Sequence, residues 1–353
     1  MGHIYWVLVG PKETPSSRIH GIRVHEYLLR RGWASHILFS PPYWMSDPPL
    51  TAADLIGRRL FQPGDLVICQ KTNGPNTQSI LKGLRSLGVA TAYIDCDLPP
   101  RIEEARLATI TVCSSSYLAE AYRKSGIGST RYIPDAFEWS APPKGEQRPD
   151  RLRCVWFGST TPEKWAEVEK LRKLVSCALP KWVLVRVSDH PASEVRWALG
   201  TAWREISQAD AAILPGSDVP TMLAKSSNKA VQAMALGVPV LAYPTPAYSE
   251  VIRHGRNGLL CRTEHEWISA FHMIEDPVRR RRMSACAHRY ARRAFSIERI
   301  GGAWEALLAE CGLTRPTSAR EEHDGAQDHD LKLLQRIVYE RSIEMLRNRV
   351  RFG

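Results

Sequence analysis

The sequence predicts an α/β protein built from two doubly wound, Rossmann-like parallel-sheet domains with helices on both faces of each sheet. Three observations predict it. Short apolar runs alternate with helix-period segments along both halves of the chain, a stretch rich in proline and charge breaks the pattern at residues 141–151, and 353 residues are long for a single core.

The first series runs over residues 1–140. IYWVLVG (4–10) reads as a buried strand, RIHGIRVHEYLLRRG (18–32) as an amphipathic helix closed by Gly32, and ASHILFS (34–40) as the next strand. GDLVICQK (64–71), a helix around 79–88, TAYIDCD (91–97), TITVCSSS (109–116), a helix over 117–125 and TRYIPDA (130–136) continue it. The second series, 152–312, opens with the strand LRCVWFGS (152–159), a helix (163–178) and the strand KWVLVRVSD (181–189). A helical region (193–209), the strand DAAILPG (210–216), a helix beginning near 225, the strand VPVLAYP (238–244) and a helix turn with a short strand (248–261) follow, before two or three further helices. Residues 313–330 read as a polar tether, and 331–353 as a terminal helix with Leu331, Leu334, Ile337, Val338, Met345 and Leu346 on one broad side. Two such domains place the carboxyl ends of their sheets toward a cleft, where ligands of these folds bind.

Hydrophobic residues at 44% and charged residues at 24% are the proportions of a globular protein. A formal charge of +11 favours an anionic partner without choosing between a nucleotide, a lipid surface and a nucleic acid. The eight cysteines show neither CxxC pairs nor zinc spacing, which fits buried thiols in a reducing cytoplasm. The start, MGHIYWVLVG, lacks the charged region of a signal peptide, and no run reaches the length of a membrane span. Histidines 20, 25 and 190 have no ligand-spaced partners, so no metal site is expected.

Chemistry concentrates at KSSNKAVQAMALGVPVLAYP (225–244). Lys225, Ser226, Asn228 and Lys229 crowd the start of a helix, where free N–H groups and the positive dipole end attract phosphate. N-capping by Ser226 or Ser227 beside solvated lysines is the plainer alternative. Ser16, Ser17 and Arg18, after Gly10 in GPKETPSSRIHG, pose the same choice at the first helix. Asp95 and Asp97, at a strand's carboxyl end, are expected to point the same way and to position an acceptor hydroxyl or take its proton; turn and cap roles stand beside that reading.

ADAAILPG followed by NKAVQAMALGVPVLAYPTPAYSEVIRHGRNGLLC resembles the donor-binding half of the retaining family-four-type glycosyltransferases (glycosyl transferases group 1) of the GT-B fold. The resemblance is strong over about 150–310 and rests elsewhere on strand order, VCSSSYLAE and YIPDA. It implies a nucleotide-diphosphate sugar as co-substrate, no resident cofactor or metal, and a glycan or small-molecule hydroxyl as acceptor. It also implies that Lys225, Ser226, Asn228 and Lys229 neutralise the diphosphate, that Gly158, Ser159, Thr160 and Lys164 of FGSTTPEKW form the facing loop, and that Gly10 and Ser17 lie near the phosphates. The family's two glutamates are replaced by Ala224 and Gln232, of which Gln232 keeps the capacity to accept from a ribose hydroxyl.

Two functions of different class follow: a retaining, metal-independent transferase, or a non-catalytic nucleotide-sugar or polyanion-binding module. An epimerase on the same architecture has no motif behind it. Nucleic acid is not an expected partner. The arginine run at 279–282 reads as a solvated helix face, with anionic lipid or a polyanionic product as the alternative. The terminal helix, with Lys332, Arg336, Arg341, Arg347, Arg349 and Arg351 beside its apolar stripe, is expected to pack on the protein or a second subunit, or else to contact a membrane. A cytoplasmic location is expected from the cysteine pattern, with the inner face of the membrane as the second option.

Overall fold

The structure, a computed structural model, describes residues 2–56, 58, 60–144, 150–315 and 325–352. The middle of the expected linker (145–149) and half of the expected tether (316–324) lie outside the described residues, as do the side chains of Arg349 and Arg351. The chain divides into two compact units, Met1–Ile133 with Ile300–Gly353, and Pro134–Arg299.

The first unit holds six parallel strands: β1 (Ile4–Leu8), β2 (Ser35–Phe39), β3 (Leu66–Gln70), β4 (Ala90–Asp95), β5 (Ile110–Cys113) and β6 (Thr130–Tyr132), in the order β2-β1-β3-β4-β5-β6. Its central strands are buried on both faces, as apolar runs without alternation require. Two short helices escape the periodicity seen in sequence. Ala52–Leu55 is held by a capping box of Thr51 and Asp54, and Ile102–Leu107 begins in a charged stretch.

The second unit repeats the design with β7 (Leu152–Phe157), β8 (Trp182–Ser188), β9 (Val195–Arg196), β10 (Ala211–Leu214), β11 (Val240–Ala242) and β12 (Gly258–Leu260), in the order β12-β11-β10-β7-β8-β9. Counted within the unit, this is the order of a dinucleotide-binding sheet, reversing between β7 and β10. Helices Pro162–Ala178 and Glu264–Glu275 bury Leu171, Val175, Phe271 and Ile274 against one face. On the other, helix Asn228–Ala235 packs against helix Pro277–Ala294.

Three expectations change. Residues 193–209 are not one helix: Val195 pairs with Val187 as an edge strand, and helix Ala202–Ser207 starts only after Gly200. The β-branched residue and the glycine defeat the helical period there. The units part at Ile133, before the expected linker, because residues 137–141 already bond to the second unit, Phe137 N–H to Phe295 O and Ala141 N–H to Ala235 O.

The chain also rejoins the first unit at Ile300 rather than continuing the second to 312. Glu305 accepts from Tyr27 Oη, Arg31 Nε and Trp33 Nε1, and Gly301 lets the Tyr27 ring approach so closely that a Cβ would lie 2.2 Å from it. Helix Gly325–Phe352 buries Leu331, Leu334 and Val338 in the first unit's core. Gln335 Nε2 donates to Ile37 O, and Arg341 pairs with Asp54. Met345 and Leu346 of the expected stripe stay exposed. Among the described residues no helix is long and apolar enough to cross a membrane.

Candidate functional site

The switch between β7 and β10 sets the site in the second unit. β7 ends at Phe157, and Gly158 takes φ +132, a conformation that favours glycine. The loop then enters helix Pro162–Ala178, capped by Thr161 Oγ1 accepting from Lys164 N–H at 3.4 Å. From the far side of the switch, after β10 and the single-turn helix Pro220–Leu223, the chain reaches Ser227 and helix Asn228–Ala235. Two helix amino ends therefore follow the two strands that flank the switch, the arrangement that serves anions.

Lys229, in the first turn of that second helix, reaches across to the loop. A Cβ on Gly158 would lie 2.5 Å from Lys229 Nζ, so the absent side chain is what admits the lysine. Lys229 Nζ stands 4.9 Å from the centre of the buried Trp156 ring, a cation–π contact. Among the described residues no carboxylate pairs with it. Burial first, then the charges of Lys164 and Lys225, pull its pKa from the ordinary 10.5 down to about 7. A cation so placed gains from any anion that enters.

Around it the helix start is under-capped. Ser227 at the N-cap makes no side-chain cap bond, and Ser226 Oγ, which accepts only a long 3.4 Å bond from Asn228 N–H, donates to Asp135 Oδ2 at 2.5 Å. Asn228 Nδ2 is buried without a hydrogen-bond partner. The capping reading of these serines thus accounts for little of the geometry.

Of the residues expected from sequence, the structure brings Gly158, Lys164, Lys225, Asn228 and Lys229 together. Thr160 turns away: its N–H and hydroxyl both bond to Asp189 Oδ1, leaving exposed Ser159 as the open hydroxyl of the loop. Gln232 is a correction. Its Oε1 accepts from Glu138 N–H at 2.7 Å and Trp139 N–H at 3.3 Å, and its Nε2 donates to Trp139 O at 2.8 Å. The acceptor oxygen expected to meet a ribose is engaged by backbone. Trp156 and Asp135 were missed; the i, i−2 relation of Trp156 to Gly158 and the YIPDA string were the signals available.

In the first unit the expected residues are tied down. Ser17 is buried and donates to Gln70 Oε1, Gly10 O accepts from Ser40 Oγ, and Arg18 donates to the carbonyls of Lys12 and Glu13. Asp95 and Asp97 do not stand side by side on a strand, because β4 ends at Asp95. Asp95 is buried and accepts from Tyr122 Oη at 2.5 Å and from the N–H groups of Cys96 and Asp97. Burial outweighs these bonds and raises its pKa. Asp97 forms an ion pair with Lys71, a non-glycine residue at φ +59.

A cavity of about 340 Å³ opens elsewhere in the second unit, between Leu171, Leu174, Pro215, Tyr243, Arg262 and Trp267. None of the three lysines lines it. Among the described residues no group of three His, Cys, Asp or Glu side chains could hold a metal ion.

Two six-stranded Rossmann-like units of this topology define the GT-B fold. Residues 146–274 match the model of the family described as Glycosyl transferases group 1. No curated protein matches the chain by sequence. Among solved structures, HepE of Anabaena with UDP and glucose aligns with TM-score 0.66 at 14% identity, covering 88% of this chain and 100% of that one. Sucrose-phosphate synthase of Thermosynechococcus elongatus aligns with TM-score 0.64 at 16% identity, over 88% and 99%. The pneumococcal O-GlcNAc transferase GtfA, with UDP and GlcNAc, aligns with TM-score 0.57 at 14% identity over 71% of this chain, which spans only 57% of GtfA. Likeness at such identities is likeness of fold.

Proposed function

We propose that the chain is a glycosyltransferase that moves a sugar from a nucleotide diphosphate to an acceptor hydroxyl, with retention of anomeric configuration and without a bound metal. The observation that carries this reading is the Lys229 ammonium, held against Gly158 with no acid partner among the described residues, beside Lys164 and Lys225 at a helix amino end. As the bond between the anomeric carbon and the diphosphate oxygen breaks, negative charge grows on the diphosphate. Preorganised cations and N–H groups there stabilise the transition state more than the ground state. The matched family and the neighbours solved with UDP support the donor class and make uridine nucleotides the first to test.

A non-catalytic nucleotide-sugar-binding role is the second reading, favoured by buried Ala224 and by the backbone bonds of Gln232 where the family carries acids. One experiment separates the two. UDP-sugars are screened by thermal shift, since binding to the native state raises apparent stability, and each binder is followed for UDP release with and without glycan acceptors. Donor-dependent stabilisation with acceptor-stimulated UDP release supports transfer. Stabilisation without release supports the binding role, and no stabilisation by UDP-sugars or, when the screen is extended, by the other nucleotide sugars defeats both.

A further inference from the structure

Helix Pro277–Ala294 contains seven arginines and no acidic residue in PVRRRRMSACAHRYARRA. Arg280 alone turns inward, its Nη1 donating to Ile274 O at 2.7 Å and Glu275 O at 3.2 Å. Arg279, Arg281, Arg282, Arg289, Arg292 and Arg293 are exposed. At 3.6 residues per turn they fall within about 160° of arc along a helix roughly 27 Å long. Only Arg279 has an acid beside it, Asp276 at 3.6 Å; among the described residues the other five have none. The opposite face, with Met283, Ala287 and Ala291, is buried in the second unit.

A solvated helix face ordinarily mixes signs, because pairs at i, i+3 and i, i+4 then stabilise it. Here Arg289 with Arg292 and Arg293, and Arg279 with Arg282, set like charges at those spacings, which disfavours the helix unless an anion lies over it. Every exposed cation of the face is an arginine. Its planar fork pairs two oxygens of a phosphate, whereas a lysine presents a point charge. At the middle of the arc stand Val278, 43% exposed, and half-buried Ala285. Single-stranded nucleic acid is gripped by stacking on aromatic rings, and no exposed residue of this face is aromatic. A broad layer of phosphates, as a bilayer of anionic lipid presents, complements a wide face of forks with a small apolar centre.

We propose that the outward face of helix Pro277–Ala294 docks the protein on an anionic, phospholipid membrane surface. The contact is shallow and electrostatic, since the helix's apolar side is already buried in the protein. It therefore weakens with salt.

The test uses the full chain, sedimented with vesicles of phosphatidylcholine alone or mixed with phosphatidylglycerol. Binding is expected only to the mixed vesicles and is expected to fall as salt rises. Each arginine near an anionic surface contributes roughly a fivefold factor, so Arg282→Gln with Arg289→Gln and Arg293→Gln lowers partitioning on the order of a hundredfold. The pair Arg281→Gln and Arg292→Gln, which leaves those three in place, lowers it about thirtyfold. Melting curves of both variants should match the parent, because the substituted side chains are exposed. Parent-like binding by either folded variant overturns the proposal, as does absence of binding to mixed vesicles. Binding of an RNA or DNA oligonucleotide with the vesicles left unbound overturns it in favour of a polyanion.

Discussion

The carboxyl ends of the two sheets carry similar residues in opposite electrostatic states. In the first unit, Lys71 is paired with Asp97, Asp95 is held by Tyr122 and two N–H groups, and Arg18 lies on backbone carbonyls. In the second, Lys229 rests on an aromatic face and a glycine, with no acid beside it among the described residues and with Lys164 and Lys225 close by. A neutralised sheet end is a structural element with little to gain from an added charge. An end that leaves a half-buried, partly desolvated cation without an acid costs stability in the free protein, and the cost is returned when an anion binds.

Lys229→Ala tests that contrast most severely. Donor turnover is expected to fall by about 10²- to 10³-fold, as for loss of one preorganised charge stabiliser, while the melting temperature holds or rises because a partly desolvated charge has gone. Steady-state kinetics of UDP release and a melting curve read both, and unchanged kinetics would detach Lys229 from the diphosphate. Gly158→Ala comes next. The new Cβ would meet Lys229 Nζ at 2.5 Å and must hold φ +132, so donor affinity should drop at least about tenfold with some 1–3 kcal/mol of strain. Calorimetric titration with UDP and urea unfolding measure the two effects separately.

Tyr122→Phe probes the neutralised end. It removes the hydroxyl that donates to Asp95 and accepts from Arg101 N–H, at an expected cost of about 2 kcal/mol in stability. Donor affinity should be unchanged. A shift in UDP affinity would show that the first sheet end takes part in donor binding and would erase the contrast.

The smallest effect is in pH. Because Lys229 has its folded pKa lowered to about 7 from 10.5, the unfolded chain binds more protons than the native one between those values. Stability from this group therefore rises as pH increases from about 7 toward 10.5, and its full cost is present below 7. The difference between the parent and Lys229→Met should accordingly be largest in acid and vanish near pH 10.5, in the absence of nucleotide. UDP should reverse the trend, binding more tightly at pH 6 than at pH 9. A difference independent of pH would mean that Lys229 keeps an ordinary pKa.

Much of this was legible in residue order. Near-continuous apolar runs such as LVICQ and LRCVWF mark strands of a covered parallel sheet, since period and burial are written locally. The lysines at 225 and 229, crowded with Ser226 and Asn228 ahead of an alanine-rich helix pattern, announced a charged helix start. Only tertiary structure decided which charges are compensated. Asp97 finds Lys71 because β3 and β4 are neighbours, and Lys229 meets the Trp156 ring and Gly158 because β7 delivers both beside the start of its helix. Gln232 is drawn to the backbone of Glu138 and Trp139, a partner nothing in its own helix specifies. The return of residues 300–315 and 325–352 to the first unit was equally hidden. A stripe such as Leu331, Leu334 and Val338 states that one side must be buried, but which core receives it depends on contacts hundreds of residues away.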